Sequence, residues 1–429
     1  MPEKIKSNNF HFHGNSARFL DSAVLQSLIK ENLQVHHRRQ FLRHVSAASL
    51  LAAAPSLASR PASARVPGQP SKIKDLMIYQ HDQFYCAFPS VVCRPDGELL
   101  VAFRRAPDRK SLGEDRNSHT DPNSYLVLVR SKDNARTWSA EPELIFAHPY
   151  GGSQDPCMVQ LKDGSIICTS YGWALLKPEV AAKMVATPKH GNFIFLGGYH
   201  LISKDGGRSW QGPHLPPPVP TSKNVGLFDK SLPAYNRGAL CEGRDGRLFW
   251  VVADMEQGKP DLTSVHLMIS TDRGKTWKYS CPVAQDAKVF FNETSIYETP
   301  KGDLVAFIRT AQFNDHTVIA RSTDGGKSFQ TWQDAGFQGH PHHALRLPDQ
   351  RVLLVYGYRH QPFGIRARVL DAECSNAGSA PEIVLREDGG TGDLGYPWAV
   401  LMKDGHVLVT YYFNQNDGTR HIAGTILQI

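Results

Sequence analysis

Four short segments of one pattern constrain this chain more than any other feature. SKDNARTW (131–138), SKDGGRSW (203–210), STDRGKTW (270–277) and STDGGKSF (322–329) all read S-x-D-x-G-x-[ST]-[WF], with Ala135 in place of one glycine. In such a turn the Asp accepts hydrogen bonds from its own backbone, the Gly supplies a positive φ and the aromatic ring packs into an adjoining sheet. A second repeat interleaves with it: FPSVVCRPDGELLVAF, DPCMVQLKDGSIICTS, GALCEGRDGRLFWVVA, TSIYETPKGDLVAFIR, HHALRLPDQRVLLVYG and YPWAVLMKDGHVLVTY. Each is an apolar strand, an Asp-Gly-type turn and a second apolar strand. The first four lead through a further strand into one of the Asp-containing turns. Six such units predict an all-β, six-bladed β-propeller. The last unit is followed only by HIAGTILQI, so a strand near Leu76–Tyr79 is expected to complete that blade and close the ring, which hides the sheet edges.

The chain has 429 residues, 41% apolar and 21% charged, with 35 Gly and 28 Pro, which excludes a disordered, collagen-like or coiled-coil protein. No apolar run reaches the ~18 residues of a membrane span. Of the 48 basic and 41 acidic residues, the first 64 positions hold 8 and 3. The near-neutral remainder has no Lys/Arg cluster, which argues against a nucleic-acid partner. Arg38 and Arg39, a short apolar run and Ala62-Ser63-Ala64 read as a twin-arginine export signal after an extended Met1–His37 segment. Residues 1–64 are therefore assigned to a leader and 65–429 to the propeller, exported folded to the periplasm or beyond. The seven cysteines are dispersed and odd in number, so neither a disulfide framework nor zinc spacing can be read from them. The GxG-type glycines lie in hairpin turns and not between a strand and a helix, so no nucleotide cofactor is expected.

Function in such a fold sits where innermost strands begin and second strands end. That rim collects Arg104, Arg105, His119, Asp121, Gln154, Asp155, Arg237, Asn292, Glu293, Arg309, His340, His342, Arg359 and Tyr396. It is polar, cationic and rich in His. The run Gly339-His340-Pro341-His342-His343 fits a substrate-binding rim better than a metal site, because proline breaks the ligand spacing; no metal is assigned. Two inserts, 172–195 with an expected helix after Pro178 and the proline-rich 212–231, should wall one side of the cleft.

The four Asp-turns, the six hairpins and the export signal together resemble the sialidase superfamily over most of residues 76–429. The resemblance implies a glycoside hydrolase acting on a terminal acidic sugar of a glycan, with a Tyr nucleophile, an activating Glu, an acid/base Asp and three Arg for the substrate carboxylate. On this chain it assigns Tyr396 and Glu293 to the first two roles. Arg105, Arg309 and Arg359 become anion ligands, with Arg104, Arg237, Asp155 and His342 as further binding residues. The long loop after Arg105 offers Asp121, Asp115 and Asp108, in that order, as acid. His119 beside Asp121 is a second acid/base candidate. The pattern departs at Cys86-Ala87-Phe88-Pro89, where Ala87 replaces the first family Arg and removes its bidentate fork. Two other classes stay open: a uronate lyase with His119 or His342 as base, and a glycan-binding propeller without catalysis.

Overall fold

The computed structural model describes residues 68–429 apart from 115–117, 228, 257–258 and 417. Arg38, Arg39 and Asp115 lie outside them. Six antiparallel sheets follow one another along the chain, five from consecutive segments. The inner, second and third strands are Phe84–Cys93, Leu99–Pro107 and Tyr125–Ser131 in blade one, and Cys157–Gln160, Ile166–Leu175 and Phe193–Ser203 in blade two. Blade four uses Phe290–Glu298, Leu304–Ala311 and His316–Ser322, and blade five His342–Arg346, Val352–Tyr358 and Gly364–Leu370. Blade six combines Gly395–Leu401, Val407–Phe413 and His421–Gln428 with Ser71–Tyr79 from the start of the described chain. That last strand pairs from Ser71 opposite Gln428 to Tyr79 opposite Ile422. Ring closure thus occurs where the hairpin count required it, with a strand five residues longer than expected.

The hairpin turns form for local reasons. Asp96, Asp163, Asp245, Asp349 and Asp404 each accept a hydrogen bond from the backbone N–H two residues on. Gly97 follows at φ 92°, and where blade five lacks a glycine, Gln350 takes φ 73°. The second Asp-turns close the third strands with one geometry. Asp205 Oδ1 accepts from the Ser209 N–H at 2.9 Å and Oδ2 from the Ser209 hydroxyl at 2.6 Å, and Asp133, Asp272 and Asp324 repeat this. Ala135 keeps the left-handed φ, 62°, that glycine has elsewhere, a conformation costing roughly 1–2 kcal/mol in an L-residue. Blade five contains a fifth turn of this kind that the pattern did not reveal. Asp371 Oδ1 accepts from the Ser375 N–H at 3.0 Å and Oδ2 from its hydroxyl at 2.5 Å.

Apolar clusters lie between neighbouring sheets. The one joining blades six and one holds Ile78, Val101, Phe103, Leu408 and Tyr412. The helix expected after Pro178 is a single turn, Pro178–Ala181, without a side-chain N-cap bond. All seven cysteines are unpaired. Among the described residues no helix is long and apolar enough to cross a membrane.

The fifth turn yields a stability prediction. Partial burial raises the Asp371 carboxyl, but the Ser375 hydroxyl and backbone N–H groups outweigh it and hold the pKa below its ordinary value. A depressed carboxyl stabilises the fold above its unfolded pKa of about 3.9, and the contribution fades as pH falls below that. Asp371→Ala should cost roughly 1 kcal/mol at pH 7, by analogy with lost capping residues. In thermal unfolding the Tm difference from wild type should shrink between pH 4 and pH 2.

Candidate functional site

Three inner strands break register at the same end of the ring. In blade one the ladder skips between Ala87 and Ser90, in blade four between Asn292 and Thr294, and in blade six between Gly395 and Trp398. The skipped residues include Phe88, Glu293 and Tyr396. Phe88 and Tyr396 take left-handed φ values of 59° and 54°, each just before a proline that has no ladder donor. Bulges re-aim side chains, and strained non-glycine residues need surroundings that hold them. Here the re-aimed residues meet, with the Phe88 and Tyr396 rings 4.8 Å apart.

The Tyr396 hydroxyl donates to Glu293 Oε1 and accepts from Arg309 Nη1 at 3.2 Å. The same Arg309 nitrogen lies 2.6 Å from Glu293 Oε2. Arg309 ends the second strand of Glu293's own blade, so one hairpin supplies both partners. Burial raises the Glu293 carboxyl, but Arg309 and the tyrosine hydrogen bond prevail and bring it down to about 2. Burial, and then the Glu293 charge, push the Tyr396 phenol well above its usual value. The tyrosine therefore keeps its proton at rest, aimed at an anionic acceptor. Arg359 stands 5.1 Å from the centre of the Tyr396 ring and donates to the Leu394 carbonyl and the Tyr412 hydroxyl.

The remaining rim residues separate into three groups. Asp155 is buried beside this centre and accepts from the Tyr171 hydroxyl at 3.0 Å. Burial, with the Glu293 charge second, lifts it to about 6. His119 also packs on Phe88, ring centres 5.1 Å apart, with Nδ1 3.0 Å from Asp393 Oδ1. Arg104 and Arg237 are fully buried, so they are not surface ligands for a substrate. Arg104 lies opposite Ala87 in the ladder, and its guanidinium has no hydrogen-bond partner among the described residues. Arg237 packs over the Tyr396 ring at 4.5 Å and donates to the Tyr396 and Pro89 carbonyls, tying two bulges together.

Three residues are placed differently from their expected roles. Arg105 alternates to the other face of its strand and stacks on Phe84 at 3.6 Å. The Asp121 carboxylate is buried and bound by Arg109 through both oxygens, at 2.7 and 3.1 Å, and by the Asn123 N–H, as a loop anchor. His342 is fully buried, bonds the Thr317 hydroxyl, and is driven down to about 3 by burial, so it stays neutral and away from the cleft. The histidine run does not converge: His340 turns to Asp315, and His343 stacks on Trp398 at 4.4 Å.

Sequence reasoning missed Asp393. Its carboxylate accepts from the Tyr85 hydroxyl at 2.8 Å, the Tyr412 hydroxyl at 2.9 Å and Arg420 Nε at 2.9 Å, besides His119. Burial raises it, but His119, Arg420 and Arg359 prevail and keep it well below the carboxylate range. Tyr412 nearly ends the second strand of blade six, so a rim reading that included phenols would have found it.

The BNR repeat-like domain model matches residues 185–409. A protein of unknown function from Dyadobacter fermentans DSM 18053 is 59% identical, with TM-score 0.82 over 85% of this chain and all of that one. The NanB sialidase of Streptococcus pneumoniae (15% identity, TM-score 0.58) shares the fold over 82% of this chain and 70% of its own. For the Trypanosoma rangeli sialidase (13%, TM-score 0.57) the shares are 83% and 59%. This chain thus spans only part of the sialidases' length. No curated protein matches it. A family match over more than half the chain, on six blades closed around the Tyr396 centre, makes this protein a member of the BNR repeat-like domain family with a sialidase-like propeller.

Proposed function

We propose that the protein is a glycoside hydrolase that cleaves a terminal acidic sugar from a glycan, with Tyr396 as nucleophile and Glu293 as its base. The observation that carries this reading is the tyrosine hydroxyl held between Glu293 and Arg309. A carboxylate nucleophile would repel an anionic sugar, whereas a neutral phenol does not and becomes nucleophilic as its proton passes to the adjacent base. The large gap in proton affinity between the two groups defers that transfer until the phenol oxygen bonds the anomeric carbon.

Charge supports an anionic substrate. Arg104, Arg237, Arg309, Arg359 and Arg420 surround Tyr396 and its neighbours, against Glu293, Asp155 and Asp393. Arg309 and Arg359 retain exposed surface and are the arginines a substrate carboxylate reaches. With Ala87 in the first arginine position, this anion site has two accessible forks. That favours recognition looser than a three-arginine clamp, and a substrate range including acidic sugars other than sialic acid.

Two outcomes test the reading. With paired aryl sialosides and aryl glucuronides, Tyr396→Phe should lower kcat by at least about a hundredfold, as removal of a reacting group does; a free acidic sugar should be the wild-type product by mass. An unsaturated uronate absorbing in the ultraviolet would mark the lyase class instead. Asp155 gives a second, independent outcome. Its pKa of about 6 in the fold exceeds the unfolded value near 3.9, so the native state favours its protonated form, and the penalty for ionising it is fully present only above pH 6. Asp155→Asn should stabilise the protein by on the order of 2 kcal/mol at pH 7.5. In thermal unfolding that gain should vanish by pH 4.

A further inference from the structure

A cavity of about 430 Å³ lies between blades four and five, away from the Tyr396 centre. Lys301 and Asp303, which line it, belong to the turn joining the inner and second strands of blade four, whereas Glu293 and Arg309 lie near the far ends of those strands. Ile319 and Arg321 come from the third strand of the same blade, and Gln333 and Ala335 from its outer strand, Gln333–Gln338. Blade five closes the cavity with the turn that begins at Asp371.

The frame is fixed across both blades. Arg321 Nη1 lies 3.0 Å from Asp303 in blade four, and its Nη2 donates to the Glu373 carbonyl of blade five at 2.5 Å. A Cβ on Gly378 would stand 2.7 Å from the Ala335 carbonyl oxygen, so the backbone of blade five closes directly on the outer strand of blade four. Asp334 is paired with His316 Nδ1 at 2.9 Å. Glu373 is different: its Oε2 is buried and has no hydrogen-bond partner among the described residues. A buried carboxylate oxygen left in that state costs stability, and an O–H or N–H supplied by a ligand relieves it.

We infer that this cavity binds a neutral, hydroxyl-rich sugar unit of a glycan, separately from the Tyr396 centre. Its volume falls in the range of small-molecule sites, roughly 300–1,000 Å³. A sugar hydroxyl both donates and accepts, so it can give its proton to Glu373 Oε2 and accept one from Lys301 or a Gln333 amide, both of which are exposed lining groups. Ile319, Ala335 and Ala377 supply apolar lining for the C–H groups of the ring. Two cations, Lys301 and Arg321, meet three carboxylates, Asp303, Asp334 and Glu373, so the lining has no positive excess to hold an acidic sugar or a phosphate. Among the described residues no three His, Cys, Asp or Glu side chains are grouped to hold a metal ion. Burial pushes the Cys374 thiol up to about 12, which leaves it a neutral part of the wall. On the hydrolase reading, a site of this kind raises the effective concentration of a branched glycan around the Tyr396 centre.

Calorimetric titration of the full chain with lactose, maltose and methyl α-mannoside tests this without any turnover. At least one of the three should bind saturably. Glu373→Ala should weaken that binding about tenfold or more, as loss of a hydrogen bond to a charged group does. Lys301→Ala should weaken it by a smaller factor; Lys301 is exposed, so this variant decides the matter if Glu373→Ala proves unstable in thermal unfolding. Arg309→Ala, at the Tyr396 centre, should leave the affinity unchanged. Three results would each overturn the site: no binding of any of these sugars by wild type, binding that Arg309→Ala removes while Glu373→Ala and Lys301→Ala leave it intact, or tighter binding of inorganic phosphate or glucuronic acid that the two cavity variants abolish. None of them touches the hydrolase reading, which stands or falls on Tyr396→Phe.

Discussion

The contact on which the site depends is the hydrogen bond from the Tyr396 hydroxyl to the Glu293 carboxylate, made between blade four and blade six and shared with Arg309. Ring closure buttresses the blade that carries the tyrosine. Blade six has three strands from the end of the chain and takes its fourth, Ser71–Tyr79, from the beginning. Tyr79 and Ile78 then pack in the same cluster as Tyr412, Trp398 and Tyr396, so the closing strand supports the wall that carries the tyrosine. Ring closure and the candidate site share one set of contacts here.

Strain is the second constraint. A regular ladder would point Tyr396 and Phe88 along the strand faces, yet both sit in bulges at positive φ. The buried Arg237 answers that strain from behind, donating to the carbonyls of Pro89 and Tyr396 while its guanidinium lies over the tyrosine ring. Its role is therefore architectural, although its charge still favours an anion nearby. Two carboxylates beside it show how environment divides similar groups. Glu293 meets Arg309 and stays ionised, whereas Asp155, buried near that charge, is pushed up to about 6.

What was legible in the sequence was what local chemistry determines. The Asp-turns and hairpins announce themselves because donor, acceptor and positive-φ residue lie within a few positions, and counting them yields six blades and their closure. Asp371 escaped because Val369 replaces the serine of the pattern and Glu373 the glycine, while the Asp and the hydroxyl four residues on were kept. Tyr396, Glu293, Arg309 and Arg359 were legible through family likeness and their places at strand starts and ends. Arg105 was ranked ahead of Arg104 as an anion ligand, but one step of strand alternation decides where each points: Arg105 stacks on Phe84 and Arg104 is buried. Asp393 was invisible for a different reason: Tyr85 and His119 lie hundreds of residues away in sequence, and only blade packing brings them to it. The sequence also could not show that Asp121 is buried within its own loop, bound by the nearby Arg109.

The central claim, a tyrosine nucleophile at the junction of blades four and six, is tested most directly by trapping. An acidic glycosyl fluoride with a second fluorine on the carbon next to the anomeric one slows both displacements, while the fluoride leaving group keeps the first the faster, so the covalent species accumulates. Peptide mapping by mass spectrometry after quenching should place the glycosyl group on Tyr396, and Glu293→Gln should slow its appearance. A label on another residue, or turnover of the natural glycan with no covalent species at any time, would contradict the account.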